Sequence, residues 1–188
     1  MNSDSQTATF TTSNGSAKDV DMMKQEFKAG SSVLWARKAG VYDAVALPYS
    51  DDNFSAVALL PAQGVEGFEP IRGLILRMPR FKVTSRLSLV PTLAALGVRA
   101  AFSSGADFSR MSTARLQISE VVHQAVVDVD EQGTVAAAAT AVVMVMSVGV
   151  PPPPPPELVF DRPFAFIIRH NPTGLPVFIG AVNDPSTT

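Results

Sequence analysis

Imidazole chemistry in this chain is confined to two histidines, His123 and His170, and there is no cysteine at all. Two imidazoles cannot build a multi-histidine metal site. The missing thiol removes disulfides, thiolate zinc sites and cysteine nucleophiles together. Serines are plentiful, but none stands in a Gly-x-Ser-x-Gly elbow, and neither a Gly-x-Gly-x-x-Gly turn nor a Walker loop occurs. His123 lies in the run Ser119-Glu120-Val121-Val122-His123-Gln124-Ala125. A histidine in such a strand pattern is more often a hydrogen-bonded core side chain than a catalyst or a ligand. His170, between Arg169 and Asn171 at a turn, reads as solvated. The residues therefore point away from an enzyme, and no cofactor or metal is expected.

The most suggestive stretch is made of small side chains. Asp130-Glu131-Gln132 leads into Gly133-Thr134-Val135-Ala136-Ala137-Ala138-Ala139-Thr140. Alanine has the best helix propensity, so a helix is one reading. A mobile loop is the other, because Gly133 offers a backbone hinge, Val142, Val143 and Val145 are β-formers, and prolines at 151–156 hold the far end extended. The residues alone leave both open. Asn14-Gly15-Ser16 matches the Asn-x-Ser acceptor triplet, which matters in a secreted chain.

The elements that must position these residues are short. A chain of 188 residues suits one ordinary domain. Charged residues make up 17% against about 25% in typical domains, and the mean hydropathy is +0.20, so there is ample apolar surface for a core and disorder over the whole length is excluded. Fifteen Lys+Arg against 17 Asp+Glu leave a net charge of -2, which provides no basic field for nucleic acid. The polar stretch 1–14 is not a secretory signal, and the apolar stretch 135–150 falls short of the roughly 20 residues of a membrane-crossing helix, so no membrane association is expected.

Residues 1–17 read as a loose tail. Short β-type runs follow at 20–24, 33–37, 41–47 and 54–60, with Pro48 and Pro61 closing the third and fourth. Residues 63–73 read as a linker, and 74–83 as a strand broken at Pro79. The recurrence of Leu89, Leu93 and Leu96, with Pro91 in the first turn and Gly97 as the cap, predicts a helix over 87–96. The β-branched excess of 116–129 predicts a long strand. Two last strands, 164–169 and 175–182, flank the hairpin turn Asn171-Pro172-Thr173-Gly174. The fold class is α+β, mostly β.

Several segments, in this order, resemble the serpin family: Met22-Met23-Lys24-Gln25-Glu26, Leu47-Pro48-Tyr49, Ala58-Leu59-Leu60-Pro61, Pro79-Arg80-Phe81-Lys82, Ile118 to Ala125, Glu131 to Thr140, Asp161-Arg162-Pro163-Phe164, and Ile168-Arg169-His170-Asn171-Pro172-Thr173-Gly174. The resemblance covers about residues 20–185. It implies a partial serpin domain over 18–188, the C-terminal portion only, with central-sheet strands, small barrel strands and a reactive loop at about 131–157. The family's first half, with most of its helices, is expected to be missing.

The resemblance also assigns roles. Glu131, Gly133, Thr134, Ala136, Ala137, Ala138, Ala139 and Thr140 become the hinge of a bait loop, whose small side chains can enter a sheet after cleavage. Val135 stands where the family often has Glu, at an outward position. The scissile region falls at Met146, Ser147 and Val148, which suits a serine or cysteine protease with an apolar or small primary pocket. His123 resembles the histidine that holds neighbouring strands of the central sheet. An extracellular setting is implied. A half-domain should also leave apolar faces and strand edges uncovered, favouring self-association. The alternative is a non-inhibitory fragment or decoy whose polyproline run docks on an aromatic groove.

Overall fold

The structure is a computed structural model that describes residues 5–28, 31, 33–38, 40–61, 73–131 and 154–186. Its elements are β1 (Gln6–Thr11), β2 (Ala17–Lys28), β3 (Leu34–Lys38), β4 (Tyr42–Pro48), β5 (Phe54–Pro61), β6 (Gly73–Pro79), β7 (Phe81–Ser88), α1 (Val90–Ala95), a 3-10 turn at Ala100–Phe102, β8 (Val122–Val129), β9 (Glu157–Val159), β10 (Phe164–His170) and β11 (Pro176–Val182). The α+β class, dominated by β, is as expected. Two compact units are present: Met1–Lys82 with Asp128–Thr188, and Val83–Val127.

The larger unit holds two sheets, ordered β1-β2-β6-β9 and β11-β10-β5-β4-β3. Proline ends β4 at Pro48 and β5 at Pro61, where a missing N–H costs no ladder bond. The five-stranded sheet is antiparallel throughout. In the other sheet β9 joins β6 in parallel, over Ile75–Arg77 alone. Phe10, Met22, Leu74, Leu76 and Leu158 are buried from the four-stranded sheet, and Val45, Leu60, Phe164, Phe166 and Val182 from the five-stranded one. Four rings tie this unit together. Phe81 lies 5.5 Å from both Phe164 and Phe166, and Phe160 meets Phe164 edge-on at 5.0 Å. Edge-to-face placement sets the positive rim of one ring against the negative face of another.

Gly180 makes that packing possible. It pairs with Phe166 across β10 and β11. A Cβ on Gly180 would stand 2.5 Å from two atoms of the Phe166 ring, which is itself buried. Gly180→Ala must displace the ring, so it is expected to cost about 1–3 kcal/mol of stability, read as a shifted denaturant midpoint.

The smaller unit carries α1, which buries none of its residues. Pro91 sits in its first turn as expected, and Gly97 closes it at φ +101°, a conformation in which side chains are strained. The helix is shorter than 87–96 because β7 runs on to Ser88. Strand β8 likewise starts later than expected. A strand needs a partner backbone, and the amide of Leu89 makes the last bond to the carbonyl of Val121 at 2.8 Å, just past the end of β7. Residues 116–121 therefore form no strand.

Within 1–17, expected as a loose tail, Gln6–Thr11 instead form β1, in register with β2 from Gln6↔Met22 to Thr11↔Ala17. Phe10, fully buried, pins it. Of residues 63–73, expected as a linker, 63–72 lie outside the described residues, and Gly73 opens β6.

Candidate functional site

The described chain stops on β8's side at Glu131 and resumes at Pro154, and both flanks are fastened. On the first flank, Arg80 is the residue joining β6 to β7. Its Nε and Nη2 donate to Oε1 of Glu131 at 2.9 and 2.6 Å. The backbone N–H of Arg80 donates to the carbonyl of Asp21 on β2 at 2.9 Å, so the arginine is itself held. A second ion pair, Lys82 to Asp128 at 3.0 Å, joins β7 to β8.

Donation from Arg80 holds the Glu131 carboxyl below its ordinary range, opposed by partial desolvation. A group whose folded pKa is depressed contributes stability that is present above the free glutamate value of about 4.3 and is lost as pH falls through the folded value. Arg80→Ala is expected to raise neutral-pH cleavage just past Glu131 by roughly two- to fivefold in limited proteolysis, the modest scale of an exposed ion pair. The same variant should flatten the acid limb of the stability-versus-pH curve.

On the second flank, the carbonyl of Pro156 accepts from Ile75 N–H at 2.9 Å. Glu157 forms an ion pair with Arg77 of β6. The register Ile75↔Glu157, Leu76↔Leu158, Arg77↔Val159 follows. Phe160 N–H then donates to the carbonyl of Arg77 at 2.8 Å, and its ring is 0% exposed. Arg162 continues the fastening with Nη2 on the carbonyl of Pro61 at 2.8 Å. Both flanks of segment 132–153 thus attach to one stretch of chain, from Ile75 to Arg80.

Of the residues singled out above, Glu131 is described and anchored. Gly133, Thr134, Ala136, Ala137, Ala138, Ala139, Thr140, Met146, Ser147 and Val148 lie outside the described residues. His123 departs from the core reading: it is exposed on β8 and makes no side-chain hydrogen bond to a described residue. His170 departs from the solvated reading. It is half-buried, with Nδ1 2.8 Å from Thr173 Oγ1 and its ring 5.3 Å from Phe54. Arg77 and Arg80, the two anchors, had no local signal, because their carboxylate partners lie 80 and 51 positions away.

A family profile described as "Serpin (serine protease inhibitor)" matches residues 1–185. The chain belongs to the serpin family. Among related serpins, the leukocyte elastase inhibitor of Bos taurus is 36% identical over 202 aligned positions, covering 95% of this chain and 52% of the relative. The plasminogen activator inhibitor 1 of Neovison vison is 32% identical over 196 positions, covering 94% and 48%. The native thermophilic serpin tengpin superposes with a TM-score of 0.67 at 28% identity, over 95% of this chain and 50% of its own. The serpin of the trematode Schistosoma haematobium gives 0.74 at 21% identity over 96% and 51%, a likeness of fold alone. The chain spans about half the length of the curated relatives it matches.

Proposed function

We propose that this serpin inhibits serine proteases by offering a bait loop, and that segment 132–153 carries the bait. The observation that supports this reading most is the double anchorage: Glu131 held by Arg80 and Glu157 by Arg77 fasten both ends of one segment. Its sequence fits the task. Gly133 is the pivot, and Thr134, Ala136, Ala137, Ala138, Ala139 and Thr140 are small enough to slide into a sheet. Cleavage falls at Met146, Ser147 or Val148, which suits serine or cysteine proteases with an apolar or small primary pocket. Serpin loop insertion is itself a standard instance of strand addition and of stored strain released by proteolysis. The relatives named for elastase and plasminogen activator agree with a protease partner, and an extracellular setting for this chain is part of the same proposal. The test is incubation with elastase-like and chymotrypsin-like proteases. A complex surviving denaturing electrophoresis is expected; clean cleavage at 146–148 without a complex overturns inhibition.

One observation favours a second reading. Among the described residues, β8 stands in a sheet of two strands, β7 and β8, so a loop strand inserted beside it gains a partner on one side. A non-inhibitory fragment or decoy would then bind through its surface, including the polyproline end, where Pro154 and Pro156 are exposed, on an aromatic groove of the SH3, WW or profilin kind. A peptide of residues 150–157 that binds none of these modules removes that variant. Self-association belongs to the same proposal. β3 and β11 are edge strands of the larger sheet and expose Leu34 (70%), Val177 (50%) and Ile179 (71%), the features that invite edge-to-edge pairing. Light scattering reads it; a clean monomer that leaves a hydrophobic dye dark counts against it.

A further inference from the structure

We propose that Asn14 is an acceptor for N-linked oligosaccharide, presented by the β1–β2 turn. Two Asn-x-Ser triplets occur in the sequence, Asn14-Gly15-Ser16 and Asn53-Phe54-Ser55, and the sequence alone cannot rank them. The fold can, because the transfer uses two groups: the asparagine Nδ2, which is modified, and the serine hydroxyl two residues on, which is read.

In the β1–β2 turn both groups are free. Thr12 N–H donates to the carbonyl of Ser16 at 2.9 Å and Gly15 N–H to the carbonyl of Thr12 at 2.9 Å, which closes the turn, while Ser13 N–H reaches the carbonyl of Asn183 at 3.4 Å. Gly15 sits at φ +84° with nothing within 4 Å of where a Cβ would be, so the tip stands in open space. The Asn14 side chain is held by its oxygen alone. Oδ1 accepts from Ser16 N–H at 3.0 Å and lies 2.6 Å from the Thr12 hydroxyl, whose single proton is shared with the carbonyl of Ser16 at 2.9 Å. That fixes the amide with Nδ2 unengaged by any described residue. Donation to Oδ1 also draws electron density from the amide and acidifies the Nδ2 protons, one of which must leave. Ser16 Oγ has no described partner, and residues 13–17 are all exposed.

At Asn53 both groups are occupied. Its Nδ2 donates to Asp51 Oδ1 at 2.8 Å, and its carbonyl accepts from Asn171 N–H at 2.7 Å. Ser55 is buried, and its hydroxyl donates to Asn171 Oδ1 at 2.7 Å. The folded chain withholds this triplet.

The co-substrate is a polyisoprenyl-pyrophosphate oligosaccharide, met in the lumen of the secretory pathway. Its anomeric carbon–oxygen bond breaks, the pyrophosphate leaves with the electron pair, the Nδ2–carbon bond forms, and Nδ2 gives one proton to a base of the transferase. The sugar lands at the end of β1, an edge strand of the four-stranded sheet, where a bulky hydrophilic group shields it.

The test incubates the folded full chain with a purified single-subunit oligosaccharyltransferase and that donor, and reads intact mass and peptide maps. One oligosaccharide on Asn14 and none on Asn53 is expected. Asn14→Asp and Ser16→Ala should lose the modification, Asn14→Asp while keeping the oxygen that closes the turn, and Ser16→Thr should raise it several-fold. As a positive control, Asp107→Asn places an acceptor two residues before Ser109 in an exposed turn. Transfer to position 107 with none to Asn14 overturns the proposal. Transfer to Asn53 equal to that at Asn14 overturns it too, because the selectivity by free groups would then be absent.

Discussion

Ala136→Glu is expected to abolish the denaturant-resistant protease complex while leaving loop cleavage intact, and Ala137→Glu is expected to keep most of the complex. Successive side chains of an extended strand point to opposite faces. With Thr134 entering the sheet, positions 136, 138 and 140 follow it inward, while Val135 and the alanines at 137 and 139 face out. An unpaired carboxylate carried into an apolar interior costs several kcal/mol, which slows insertion by roughly a hundredfold or more. The acyl-enzyme then has time to hydrolyse, and each protease molecule consumes many chains. Denaturing gels and the number of chains cleaved per protease inactivated read both quantities. Equal loss at the two neighbouring positions would leave no alternation to explain, and the strand mechanism would fall with it.

Phe160→Ala is expected to cost about 3–5 kcal/mol of stability, the scale for deleting a fully buried ring. Phe160 follows β9, which has three residues, and its ring stands edge-on to Phe164 at 5.0 Å. Its amide is the last bond to Arg77, so loss of the ring also loosens the flank that holds Glu157. Denaturant unfolding should show the loss, and Phe160→Leu should recover much of it. A cost below about 1 kcal/mol would mean that the four-ring cluster relaxes around the gap rather than depending on it.

The legible parts of the fold are those where one short run carries its own signal. Pro48, Pro61 and Pro79 end β4, β5 and β6 because proline brings its own backbone constraint. Asn171 to Gly174 announces the β10–β11 hairpin in the same way. β1 escaped because Gln6-Thr7-Ala8-Thr9-Phe10-Thr11 shows one large apolar residue, and one is no pattern. Less than half of β2 is legible because its buried face changes along the strand: Val20 and Met22 are buried on one side, Phe27 on the other. β9 exists by virtue of β6, a partner more than seventy positions away, and no local spacing encodes that. The candidate site divides likewise. Glu131 and the small residues after it were readable as a run, whereas Arg80 and Arg77 matter only once folding brings them to their carboxylates.

The shared mooring of both flanks between Ile75 and Arg80 bears on how such a protein could be retargeted. On the proposed reading, the bait's ends are fixed by residues outside it. Closing a flexible loop between fixed points costs only about 0.6 kcal/mol for each doubling of its length. Exchanging the residues around 144–148 is therefore expected to redirect the bait toward a new enzyme while the anchors stay as they are.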